Sequence, residues 1–237
     1  MNKFHATSLN SRTSGAFIAA ASATSLPGLF VLMSAGWPDF LRMPASEAVP
    51  ILSENWPAIR FGFALMFLAN ILWFPAIWCL ARVLFKPGSK WVDLALNFAL
   101  ASLAIRGLWY GVALTMFPVL IDLWPNLDAA SIGAVDAFYI FLNDILSTVQ
   151  EDIGLNLLGG FAGVILCILL LRHRKLPIWI AVMGLTGNSL LIVSSAEMIG
   201  LNAGDLVALL APSLMGFWLI FAGIFLAVRG PQVSRRA

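Results

Sequence analysis

The sequence predicts an all-α protein, a polytopic transmembrane bundle of six spans with an external amphipathic helix before the fourth, and three observations carry that prediction. The first is composition. Of 237 residues 60% are hydrophobic and 11% charged, where a soluble domain carries about 25% charged residues. The second is segment length. A bilayer core about 30 Å thick needs about 20 apolar residues per helix. Six stretches meet that length, at residues 14–36, 57–81, 91–118, 153–171, 176–196 and 206–228. The third is charge placement. Lys3 and Arg12 precede the first stretch, Arg82, Lys86 and Lys90 lie between the second and third, Arg172, Arg174 and Lys175 between the fourth and fifth, and Arg229, Arg235 and Arg236 follow the sixth. Eleven of the fourteen basic residues then share one side, which the positive-inside rule makes cytoplasmic. Both termini fall inside, and the whole chain, residues 1–237, reads as one integral domain of a bacterial plasma membrane.

Taken in order, the first stretch has a rival reading. Lys3 and Arg12 followed by an apolar run and "MSAG" resemble a cleavable signal peptide, but the long polar lead and the length of the run favour a retained helix. Pro27 within it, Pro75 in the second and Pro212 in the sixth should kink their helices. Residues 37–56 hold several prolines and read as an irregular loop with a short helix at most, so that Pro57 stands in the first turn of the second span, where a missing N–H costs little. "FKPGSK" is a tight turn. Trp37, Trp56 and Trp124 fall at the outer interface, and Trp78, Trp91 and Trp179 at the inner one. From residue 131 to 152, Ile132, Val135, Phe138, Tyr139, Leu142, Ile145, Leu146 and Val149 recur at helical spacing. Asp136, Asn143, Asp144 and Ser147 interrupt them, which describes an amphipathic helix on the outer interface. As a seventh span it would put "RHRK" outside, against the charge rule.

The informative residue is Arg106, in "ASLAIRGLWYGV". An arginine at the centre of a membrane helix costs about 2.5–3.5 kcal/mol on insertion scales. Asp144, Thr148, Asp152, Asn156 and Gly160 are four residues apart and form one ridge on a continuous α-helix. The acidic end of that ridge enters the membrane from the outer side, so Asp152 is the expected partner of Arg106, with Glu151 beside it. Arg60, one turn into the second span, is a second cation at similar depth. Arg60, Arg106, Glu151, Asp152 and Asn156 are therefore the candidate ligand-binding residues, with Asn70 and Asn188 as a floor. Plainer readings stand beside this one. Arg106 would snorkel to the interface, a buried pair would be purely structural, and the asparagines would make interhelical hydrogen bonds of about 1 kcal/mol. Gly107 and Gly111 read as a packing face nearly opposite Arg106, with Asp93 and Asn97 on that side as a cap and a hydrogen bond.

"FAGVILCILLLRHRKLPIWIAVMGLTGNSLL" joins a glycine-bearing span to the next through a short basic turn, Pro177 and the pair Gly184 and Gly187. "FWLIFAGIFLAVRG" closes the last span. This pattern, over about residues 14–230, resembles a bacterial family of six-span membrane proteins known as domain of unknown function 4386. The resemblance implies the fold and no activity.

Function classes sort accordingly. A small ligand or lipid bound in an outward-facing polar cavity, as in a receptor or transporter, is the reading that Arg60, Arg106 and the carboxylates favour. A non-catalytic assembly or accessory protein, joined to itself or to another membrane protein through glycine faces, is the alternative. An intramembrane enzyme has least support, since no nucleophile–histidine pair is visible. Cys79, Cys167, His5 and His173 are isolated, so no metal and no cofactor is implied. Nothing suggests nucleic acid, and the bilayer is the expected surrounding.

Overall fold

The computed structural model describes residues 10–201 and 204–234. They form eight α-helices joined by short 3₁₀ pieces and one π-helical segment. These are α1 Ser11–Ala23, α2 Ser25–Ser34, α3 Ala45–Leu84, α4 Lys90–Leu123, α5 Ala129–Ser147, α6 Gly160–His173, α7 Ile178–Ser194 and α8 Asp205–Ser234. Among the described residues there is no strand, and six continuous helical stretches are long and apolar enough to cross a membrane. The protein is a multi-pass membrane helix bundle.

The first stretch is α1 plus α2, divided at Thr24. Pro27 has no N–H for the carbonyl four residues back. The Thr24 hydroxyl donates to the Ala20 carbonyl at 2.9 Å, a back-bond that bends helices. α1 lies along α8 with glycine against glycine. A Cβ on Gly15 would stand 2.6 Å from the Gly223 carbonyl oxygen, and one on Gly223 would stand 2.7 Å from the Gly15 oxygen.

The second stretch differs from the expected loop followed by a span. α3 runs unbroken for 40 residues from Ala45, with Pro50, Pro57 and Pro75 inside it. Pro57 is thus an interior residue and not a helix start. The reason is tertiary. The Asp136 carboxylate, on α5, accepts the Ser46 backbone N–H at 2.7 Å and the Ser46 hydroxyl at 3.0 Å, capping α3 from a distant part of the chain. Tyr139, one turn further along α5, donates its hydroxyl to the Phe40 carbonyl at 2.9 Å. Ala45, Ala48, Val49 and Leu52 bury on this support.

The helix expected from residue 131 is present as α5. Asp128 caps it by accepting the Ser131 N–H at 2.8 Å, and hydrogen bonds from Ser131 hold that exposed carboxyl below its ordinary range. α5 turns Asp136 and Tyr139 toward the start of α3 and leaves Phe138, Phe141 and Ile145 exposed. It runs straight into the π-helical segment Thr148–Gly159 and then α6, so the helix before the fourth span and the span itself are one helical column.

The basic turns meet at one end. Arg82 and Asp93 join α3 to α4 through an ion pair at 3.3 Å. Phe85 meets the His173 ring edge-on, with centroids 6.2 Å apart. Trp91 and Trp179 are exposed at this end, whereas Trp56 and Trp124 pack against an aromatic core at the other. That core holds Phe40, Phe63, Trp109, Phe117 and Tyr139. A second core, nearer the basic end, holds Ile18, Trp73, Leu80, Leu166, Trp218 and Leu226.

Candidate functional site

Between the two apolar cores the chain is polar. On α3 the change from one core to the other falls at Asn70, on α4 at Ser102 and Arg106, and on the fourth span at Asn156; all four are buried. Arg106 lies halfway along the 34-residue α4, roughly 25 Å from either end at 1.5 Å per residue. Its residue exposure is 9%, so it faces the bundle as expected and does not snorkel.

What surrounds it departs from the expected ion pair. Arg106 has no carboxylate within ion-pair distance; among the described residues the one salt bridge is Arg82–Asp93. The Arg106 Nε and Nη1 atoms have no hydrogen-bond acceptor. The guanidinium carbon lies 5.7 Å from the centre of the Trp73 ring. Tyr110, one turn along α4, is close enough to interact with it. Trp73 and Tyr110 are neutral, so the cation is left without a counter-charge. Neighbouring buried atoms are unsatisfied too, namely Ser102 Oγ, Asn70 Oδ1 and Trp73 Nε1. Asn70 spends its Nδ2 on the Leu103 carbonyl of α4 at 3.3 Å, the interhelical bond expected of it.

The fourth span meets Arg106 with glycine and not with a carboxylate. A π-helix bonds each N–H to the carbonyl five residues back, which pairs residues five apart. Gly154 and Gly159 are such a pair, and both turn toward α4. A Cβ on Gly154 would stand 2.9 Å from Arg106 Cγ and 3.1 Å from Ile105 Cγ2, and one on Gly159 3.4 Å from Ser102 Oγ. The glycines make the groove in which the arginine stem lies. The expected ridge of every fourth residue runs from exposed to buried along the span. Asp144, Thr148 and Glu151 are exposed, Asp152 is half-buried, and Asn156 and Gly160 are buried. Asp152 accepts from Asn156 Nδ2 at 3.2 Å instead of meeting Arg106. Glu151 lies within electrostatic reach of Asp152, Glu197 and Arg42.

Of the candidate residues, the structure brings Arg106 and Asn156 into the polar layer and sets Asp152 at its edge. Arg60 is exposed on α3 and Glu151 is exposed on the fourth span; neither converges on Arg106. Asn188 is fully buried but donates to Gly184 of its own helix at 2.7 Å, and its side chain fills the space that a Cβ on Gly163 would need. A Cβ on Gly107 would meet α3 only at ordinary contact distance, 3.7 Å from Asn70 Nδ2, and one on Gly111 would meet nothing within 4 Å. Asp93, expected to cap, makes the ion pair with Arg82. Trp73, Ser102, Tyr110 and Gly154 were not singled out from the sequence. Ser102 and Tyr110 were within reach, since each is four residues from Arg106; Trp73 carries no such signal.

A protein-family model described as "Domain of unknown function (DUF4386)" matches residues 13–230. No curated protein matches the chain, and no solved structure does.

Proposed function

Because the chain belongs to the DUF4386 family, a match that spans nearly all of it and assigns no activity, we propose a function from the site itself: the protein binds an anionic group, from a small molecule or a lipid, at Arg106. The single observation that carries this reading is a nine-tenths buried guanidinium with Nε and Nη1 unpaired. A charge at that depth costs several kcal/mol unless it is paired and hydrogen-bonded, roughly 2.5–3.5 kcal/mol on insertion scales. A cation–π contact with Trp73 returns about 0.5–2 kcal/mol. A carboxylate or phosphate accepting both free N–H groups would supply the rest, and the unpaired Ser102 hydroxyl offers a further donor.

The test is the thermal stability of the purified full chain in neutral detergent, titrated with acetate, inorganic phosphate or phosphatidylglycerol. At about a hundred times its dissociation constant the anion bound at Arg106 should stabilise by about 2.7 kcal/mol, and Arg106→Gln should remove that gain, any gain left with phosphatidylglycerol being binding elsewhere. If no anion gives a shift that depends on Arg106, the reading fails.

The same proposal orients the molecule in a plasma membrane, with the basic turns and both termini in the cytoplasm. With Cys79 and Cys167 replaced, a thiol introduced at Ser89 should resist an impermeant external reagent, and one at Ala129 should react. The opposite labelling would invert the orientation. A membrane-assembly role is the second reading. It rests on Gly111 and Gly216, beside which a Cβ would meet nothing within 4 Å, leaving room for a helix from another chain.

A further inference from the structure

At the basic end, the α3–α4 turn and the α6–α7 turn line a half-open cavity of about 630 Å³, within the size range of ligand clefts. Its apolar wall is Val83, Leu84, Phe85 and Leu169, and its polar lining includes Lys86, Ser89, His173 and Lys175. No carboxylate lines it. The acidic residue of the neighbouring turn of α4, Asp93, is engaged by Arg82 at 3.3 Å. The two lysines therefore face the cavity without a counter-charge from its walls. Arg174 helps place one of them. It ends α6 in the left-handed region, at φ 48°, and the next N–H, that of Lys175, closes back on the Leu170 carbonyl at 3.3 Å. The chain thereby turns sharply at a non-glycine residue, at some conformational cost. The Phe85–His173 ring contact ties the two turns together.

An apolar wall continuous with two membrane spans, under a cationic rim, matches an amphiphile and not a wholly water-soluble anion. We propose that this cavity is a binding site for the phosphate headgroup of an anionic phospholipid from the leaflet at the basic end. The phosphodiester lies between Lys86 and Lys175 with Ser89 donating, and the glycerol and upper acyl carbons rest on Leu84, Phe85 and Leu169. Basic pockets between membrane helices take such headgroups. The inference is independent of Arg106, which lies in the middle of the bundle.

The experiment is native mass spectrometry of the full chain released from detergent micelles doped with phosphatidylglycerol, phosphatidylcholine or soluble glycerol 3-phosphate. The wild-type chain should retain one phosphatidylglycerol in preference to phosphatidylcholine and should retain no glycerol phosphate. K86A/K175A should weaken that retention roughly thirty-fold, on a scale of about tenfold or less per lysine near an anionic surface. K86R/K175R, which keeps the charge, should restore it. R12A/R229A, which removes two exposed cations from the same end, should leave it unchanged. Equal retention of the two lipids by the wild-type chain would overturn the proposal. So would an equal loss in R12A/R229A, which reports diffuse charge, or retention of glycerol phosphate without lipid preference, which reports a soluble anion.

Discussion

Two glycine-lined contacts in this molecule look alike in sequence and do different things. At the α1–α8 seam, Gly15 and Gly223 bring backbone onto backbone, each occupying the space a side chain would need. Between α4 and the π-helical segment, Gly154 and Gly159 also remove side chains, but what enters the space is the stem of Arg106 and the hydroxyl of Ser102. The first contact is backbone against backbone and gains its stability from dispersion and weak backbone contacts. The second admits a charge and leaves polar atoms unsatisfied, at a cost the rest of the bundle offsets. Small residues thus report close approach; the partner's chemistry decides whether the result is a structural seam or a polar layer.

The largest effect should come from filling the α1–α8 seam. Gly223→Leu places a side chain against the backbone of Gly15 and Ala19, which cannot rotate away. It should destabilise the chain by about 3 kcal/mol or more, at the upper end of overpacking costs. Denaturation in detergent reads this, and Gly216→Leu on the same helix, with open space beside it, should be tolerated. Equal effects at the two sites would remove the distinction between them.

Arg106→Leu should act in the opposite direction. With an ion pair, deleting the arginine would strand a buried carboxylate and destabilise by about 3–5 kcal/mol. Without one, it removes an unpaired buried cation, and the lost cation–π contact with Trp73 is the smaller term. The variant should be more stable than wild type by about 1–3 kcal/mol in anion-free detergent. A double-mutant cycle sharpens the point, with coupling of Arg106 to Trp73 near 1 kcal/mol and to Asp152 near zero. A strong coupling to Asp152 would restore the pair expected from the sequence.

The smallest effect compares two glycines that face α4 or lie on it. Gly154→Ala puts a Cβ 2.9 Å from Arg106 Cγ, and the long side chain can give way. The loss should be about 1 kcal/mol, net of the gain in helix propensity. Gly111→Ala meets nothing within 4 Å and should gain up to about 1 kcal/mol from propensity alone. The same thermal melts distinguish them, and a gain at both positions would mean that Arg106 does not occupy the Gly154 groove.

What the amino-acid sequence determined by itself is the part governed by one-dimensional quantities. Apolar length measured against the bilayer core set the number of spans, and the clustering of basic residues set which turns share an end. The helical spacing of apolar residues placed α5, and the burial of Arg106 followed from its depth. These properties are local sums, indifferent to which helix neighbours which. Tertiary structure decided the rest. α3 begins at Ala45 and passes through three prolines because Asp136, some ninety residues on, supplies its cap. The fourth span is π-wound from Thr148 to Gly159, and Asp152 turns to Asn156 instead of Arg106. A change from i+4 to i+5 bonding rotates every later side chain about the axis, and no residue type announces it. Trp73 meets the guanidinium because of where α3 crosses α4, a geometry fixed by the packing of whole helices and written in no single stretch of the chain.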